Sequence, residues 1–274
     1  MTTSTDDVAP RATARPHATT TNGASPRIPL TRIVAVELRK SFDTRSGLWL
    51  LASIGLAAIA TTGAVIAWAP TEEFRYSQFT LAIGMPMSII LAIITVLSVT
   101  AEWSQRSGLT TFTLVPHCGR VMVAKAASAC LVAVAATLVA FTVGALGNLV
   151  GAALAGLTPV WDQDLADVGY FVLGSISLML VGFTLGALIR SSAGAVVAYM
   201  VYAFVAPGLL AFLAFNQEWF RDLRPWMDPK FNQDALLNGG LSGEQWSQLA
   251  VTTAVWLVLP LVVAVVTLRR SEVK

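Results

Sequence analysis

The densest chemistry in this sequence lies between positions 102 and 125, where Glu102, Arg106, Gly108, Pro116, Arg120 and Lys125 fall together. Glu102 and Arg106 are four apart, so on a helix they face each other and can pair. Leu109, Phe112, Leu114 and Val115 then offer apolar contacts before Pro116 interrupts the helix, and a new helix is expected to start near Gly119. A short amphipathic helix between two turns is suited to receiving a soluble partner. A second group, Glu37, Arg39 and Lys40, lies upstream on a predicted helix. There Leu30, Ile33, Val34, Leu38 and Phe42 recur at helical spacing, and Arg32, Arg39, Lys40 and Asp43 gather on the opposite face. That pattern predicts an amphipathic elbow helix lying in a membrane interface. Glu37 falls within the apolar stripe. Either it blurs the pattern or its carboxylate meets a cation from another segment, and the sequence leaves both open.

Catalytic and cofactor chemistry is not expected. The long apolar runs contain no Asp, Glu, Lys, Arg or His, so they hold neither a proton relay nor a base beside a nucleophile. Cys118 and Cys130 lack metal-ligand spacing and read as structural, while His17 and His117 read as solvated. No G-x-x-x-x-G-K-[ST] loop occurs, and no Gly is followed by Lys. We therefore expect no enzyme activity, no cofactor and no metal.

The elements that must carry these residues follow from composition. Of 274 residues, 55% are hydrophobic and 12% charged, about half the charge usual in a soluble domain. Six uncharged runs reach the roughly 20 residues that cross a bilayer core: Leu48 to Ala69, Phe79 to Thr100, Ala126 to Leu157, Val168 to Ile189, Ser191 to Phe215 and Trp246 to Leu268. The third exceeds one crossing, so its end near Ala153 to Val160 is expected to tilt, break or leave the membrane. Its other boundary is Lys125. The predicted fold is all-α and polytopic, with six transmembrane helices behind the elbow helix. Residues 1–29 form an expected disordered cytoplasmic tail and 30–274 a six-helix membrane domain.

One set of connections carries Arg32, Arg39, Lys40, Arg45, Arg106, Arg120, Lys125, Arg190, Arg269, Arg270 and Lys274, and the other only Arg75, Arg221, Arg224 and Lys230. Because cytoplasmic loops keep the excess of Lys and Arg, the first set and both termini are expected in the cytoplasm. The loop Trp161 to Asp167, with three Asp and no basic residue, agrees. Asn216 to Gln245 is then the longest external segment, with Trp219 and Trp226 expected at the headgroup level. Gly144, Gly147 and Gly151, and Gly182 with Gly186, give small-xxx-small spacings for close helix approach, serving either the fold or a dimer. Asn148, the one strongly polar amide deep in a span, is expected to bond across helices. A net charge of +2 does not suggest a nucleic-acid partner.

Taken in order, Glu37-Leu38-Arg39-Lys40 before the first span, Gly47 entering it, Glu102 and Arg106 closing the second, and Leu114 to Pro116, Arg120 and Lys125 leading into the third resemble the permeases of ATP-binding-cassette transporters of the type 2 exporter kind. The resemblance covers nearly everything after residue 30. It implies a bacterial cell-membrane protein, a homodimer or heterodimer of permeases in contact with membrane lipid, and two ATPase subunits docked below the Glu102 to Lys125 loop. ATP hydrolysis would then lie on the partner. The uncharged spans suit a lipid-like, hydrophobic or amphiphilic cargo better than a polyanion. Leu241-Ser242-Gly243-Glu244-Gln245 resembles the signature of the cassette ATPases, but no nucleotide-binding domain surrounds it and it falls on the opposite side. A membrane scaffold or sensor that recruits a cytoplasmic protein without transport is the competing expectation.

Overall fold

The computed structural model describes residues 29–43, 45–104, 118–237 and 240–272. The described residues fold as helices with no strand, and six helices are long and apolar enough to cross a membrane: Gly47–Trp68, Tyr76–Ala101, Gly119–Ala155, Leu165–Ile189, Ser192–Asn216 and Gly243–Thr267. These match the six uncharged runs. The expected tail, Pro29 apart, lies outside the described residues.

Helix α1 (Leu30–Asp43) precedes the first span. Its apolar stripe packs on the rest of the chain, with Ile33 and Glu37 buried. The spans follow as α2 (Arg45–Trp68), α3 (Tyr76–Ser104), α4 (Cys118–Ala155) and α5 (Leu165–Ile189). The fifth is built from α6 (Ser192–Met200) and α7 (Ala206–Asn216). Two short helices, α8 (Glu218–Met227) and α9 (Pro229–Leu237), lead to α10 (Gly243–Thr253) and α11 (Leu259–Glu272), which together form the sixth. The end of the bundle that carries α1 and the α3–α4 connection is called the near end below, and the opposite one the far end.

Buried apolar side chains from α2, α3, α4 and α5, among them Ile54, Ile83, Met87, Ala133 and Met179, form the main core. More than half of the apolar window of α5 is buried, against 6% of the fifth span, which leaves Phe204, Leu209 and Phe212 exposed on the periphery. The glycines serve the fold. A Cβ on Gly182 would sit 2.9 Å from the Ala92 carbonyl oxygen, so α5 touches the backbone of α3, and Gly186 repeats the contact one turn on at Val96. Gly144, Gly147 and Gly151 admit Thr80, Phe79 and Phe74 against α4 in the same way.

Both peripheral spans are interrupted by one wide turn, Val201–Val205 before Pro207 and Ala254–Val258 before Pro260. A proline inside a helix lacks the N–H that would bond four residues back and its ring crowds that carbonyl. Widening the preceding turn to a π-type turn relieves the clash without breaking the span.

The far end is closed by residues 156–164. The long α4 stops at Ala155 and Gly156 takes φ 69°, the left-handed conformation that ends helices, which fits the expected break. Asn148 donates from Nδ2 to the Val160 carbonyl at 3.0 Å, so it holds this loop rather than a neighbouring helix. Asp162 accepts from the backbone N–H and the hydroxyl of Ser77 at 2.9 and 2.6 Å, placing its charge at the N-terminus of α3, where the helix dipole favours it. Asp164 and Asp167 form a capping box on α5.

Candidate functional site

At the near end, three helices meet on one ammonium group. Lys125 Nζ donates to Glu37 Oε2 at 2.6 Å and to the Ser98 carbonyl at 3.3 Å, which joins α4 to α1 and α3. The second carboxylate oxygen of Glu37 accepts from Lys40 at 2.6 Å. The side chains of Glu37 and Lys125 are 5% and 3% exposed, whereas Lys40 is half exposed. Burial alone would raise the Glu37 carboxyl, but the charge of Lys125 and the hydrogen bonds from Lys125 and Lys40 outweigh it and hold the group below its ordinary value. Glu37 is therefore ionised at neutral pH. Of the two possibilities left by the sequence, the one in which its carboxylate meets a cation from another segment is correct.

An apolar alternative could fill this volume at no electrostatic cost, so a buried pair is poor evidence of stabilisation. Its consequence is directional. Pulling α1 away from α4 would strand two charges in a low dielectric, at a cost of about 3 to 5 kcal/mol for losing one mate. Helix α1 is therefore fastened to the third span and to the last turns of the second.

Lys125 also changes the boundary of the third span. It was expected to mark the edge, yet α4 begins at Cys118 and continues through Lys125, which is buried because Glu37 neutralises it. Arg120 stands half-buried in the first turns of α4 and is engaged in the structure. Arg39 stays apart from the cluster, pairing with Asp43 at 2.9 Å on the exposed face of α1. Glu102 lies in the last turn of α3, one turn beyond Ser98, and only its backbone is described. Arg106, Gly108 and Pro116 lie outside the described residues. Glu37, Lys40 and Lys125 are thus brought together, and Glu102 follows Ser98, the α3 residue that Lys125 reaches, by one turn.

The far end holds a feature that the expected external segment did not include. From Asn216 the chain turns back into the bundle instead of staying outside it. Helix α8 returns beside α7, and Trp256, near the middle of the sixth span, donates from Nε1 to the Met227 carbonyl at 2.9 Å. Gln233 of α9 accepts from the Tyr202 hydroxyl at 2.7 Å, and Tyr202 is within two residues of the middle of the fifth span. Pro229 and Gln233 share a small cavity with Ser177, the central residue of α5. Three spans therefore receive the corner of the α8–α9 hairpin at their midpoints.

The hairpin is polar where it is deepest. Asp228, 1% exposed, spends one oxygen on the N–H groups of Lys230 and Phe231, capping α9, and the other on Arg224 Nε at 3.2 Å. Asn232 donates to the Pro225 carbonyl at 2.6 Å and fastens the two arms together. Four ionisable residues, Arg224, Asp228, Lys230 and Asp234, thus lie between the spans, although the spans at this depth carry none. Trp219 and Trp226 sit on the returning α8, not on an external loop. Reading only for uncharged runs missed this, since a charged segment following an apolar one signals exit from the membrane unless a partner for each charge is foreseen. The i, i+4 pairs Arg224–Asp228 and Lys230–Asp234 were the available signal.

The described residues offer no group of three or more His, Cys, Asp or Glu able to hold a metal ion. The arrangement is a clasp at one end and a charged re-entrant hairpin at the other, joined by spans. No protein-family model matches this chain, and no curated protein matches it.

Proposed function

We propose that this chain is the membrane-spanning permease subunit of an ATP-binding-cassette exporter of the type 2 kind, worked by a separate ATPase at its near end. The supporting observation is the Glu37–Lys125 clasp. It ties an amphipathic helix to the second and third spans, immediately beside the connection whose Glu102, Arg106 and Lys125 suggested a docking loop. A soluble partner that moves this loop would move α1, α3 and α4 together. On this reading the force passes on to the peripheral fifth and sixth spans, each of which carries a wide turn before a proline, Pro207 and Pro260.

On this reading the near end faces the cytoplasm, the far end faces outward, and the exposed fifth span meets lipid or a second permease. The first test is purification of the full chain from its own membrane in a mild detergent. A nucleotide-binding polypeptide should co-elute, and ATP turnover should be found in the complex and be absent from the isolated chain. Turnover by the isolated chain, lost on altering Ser242 or Gly243, would overturn the proposal.

A further inference from the structure

The α8–α9 hairpin takes one hydrogen bond from the wide turn of the fifth span and one from that of the sixth. Tyr202, whose hydroxyl donates to Gln233, lies within Val201–Val205, and Trp256, whose Nε1 donates to the Met227 carbonyl, lies within Ala254–Val258. The two turns close in the same way. The residue just before the proline, Ala206 or Leu259, donates its N–H to the carbonyl five residues back, that of Val201 or Ala254. Turns of this kind are rare and concentrate at functional sites. A proline accounts for a wide turn before it, but not for that turn carrying the side chain that holds the hairpin, and here both do.

The hairpin is complete in itself. Arg224 pairs with Asp228, Lys230 pairs with Asp234, and Asn232 ties the two arms at the Pro225 carbonyl. These charges are compensated inside the hairpin, so moving it away from the spans strands neither pair, unlike the clasp at the near end. Its other bonds to the fifth and sixth spans among the described residues, Arg221 Nε to the Ala214 carbonyl and Asn232 to Thr252, are both 3.4 Å, at the long limit. A cavity of about 260 Å³ separates Pro207, just past the first wide turn, from the charged side of the hairpin, so the two are not close-packed there. Tight apolar contact lies instead at the end of α9, where a Cβ on Gly174 of α5 would come within 2.9 Å of Leu237 and 3.7 Å of Leu236.

We propose that Tyr202 and Trp256 are latches, and that a shift of either wide turn along its span releases the hairpin corner, which swings as one piece about the end of α9. An α-helix advances about 100° per residue, so a wide turn that migrates by one residue carries the side chain it passes to a different face of the span. Tyr202 or Trp256 then no longer points at its acceptor. The bending points of both spans and the hold on the hairpin are thus one device.

The test is cysteine labelling of the full-length protein in a maltoside detergent with Cys118 and Cys130 replaced. It needs neither an ATPase nor a substrate, so its outcome is independent of the permease reading. Pro229→Cys, buried under the corner beside Ser177, reports the swing, and Leu236→Cys reports the pivot. Tyr202→Phe and Trp256→Phe should each speed reaction of Pro229→Cys with N-ethylmaleimide severalfold, as the loss of one hydrogen bond allows, and Leu236→Cys should be unaffected. Pro207→Ala removes the cause of the wide turn while leaving Tyr202 and Gln233 in place. It should speed the same reaction by a similar factor and add nothing to Tyr202→Phe, because both act through one latch. Leu209→Ala, exposed two residues past the proline, should change nothing. Wild-type labelling rates in both Tyr202→Phe and Trp256→Phe would overturn the latches. A wild-type rate in Pro207→Ala, or an effect that multiplies with that of Tyr202→Phe, would overturn release through the wide turn. An equal rise at Leu236→Cys would mean that the hairpin has no pivot and would overturn the swing.

Discussion

Glu37 and Lys125, 88 residues apart in sequence, meet at 2.6 Å in a setting where both side chains are almost fully buried. The contact fixes the amphipathic α1 to the third span, and it determines which single changes at the near end are harmful.

Glu37→Ala and Lys125→Ala should each destabilise the protein by about 3 to 5 kcal/mol, because each leaves one buried charge without its mate. The double variant Glu37→Leu with Lys125→Met should recover most of that loss, as apolar replacements of similar volume commonly do. Thermal melting of the four proteins in one detergent measures the coupling. Additive losses would mean that the two charges do not depend on each other.

The pair also sets the acid limit. The Glu37 carboxyl is held below its ordinary value, so it contributes stability above its unfolded pKa of about 4.3 and loses it as pH falls through the lower folded value. Melting temperature should therefore show no pH dependence from this group between pH 8 and pH 5, where its contribution is fully present, and a decline below about pH 4. Glu37→Gln should remove that acid-dependent part. An unchanged acid limb in Glu37→Gln would assign it to other carboxylates.

Helix contact through glycine predicts a contrast inside one protein. Gly182→Val must push the Ala92 backbone, whereas Gly208→Val meets nothing within 4 Å. The first should lower folded yield and melting temperature by an amount expected for overpacking, about 1 to 3 kcal/mol. The second, which also tests whether the exposed fifth span tolerates bulk, should keep both within about 0.5 kcal/mol of wild type.

The returning hairpin predicts a depth. With Cys118 and Cys130 replaced, a cysteine at Glu244 should react readily with a membrane-impermeant maleimide applied from the far side. One at Met227, at the hairpin corner, should react far more slowly. Equal rates would place the corner outside the bundle.

The spans were legible because lipid demands long uncharged runs, and the six found in the sequence lie within the six helices to within a few residues or, at the near end of α4, seven. Helix α1 was legible from its two faces. The clasp was only half legible: Glu37 stood out as a charge in an apolar stripe, but its mate could not be named because Lys125 looked like a boundary residue. The hairpin was not legible, because hydropathy scores Arg224, Asp228, Lys230 and Asp234 as exposed until their pairing is known. Asn148 was recognised as buried and polar, yet its partner is a loop carbonyl, a choice that depends on where α4 ends.

The most direct test of the permease account is ATP turnover by the complex of this chain with its co-purified nucleotide-binding partner, in nanodiscs, for wild type, Glu102→Ala, Arg106→Ala and the double variant. A solvent-facing i, i+4 pair adds only about 0.3 to 0.5 kcal/mol, so the variants should melt like wild type. A charge pair at a partner interface can be worth about 2 to 5 kcal/mol, so they should lose partner binding or the stimulation of turnover. Full stimulation in all three variants, or failure that only follows a lower melting temperature, would contradict a docking surface at the near-end loop.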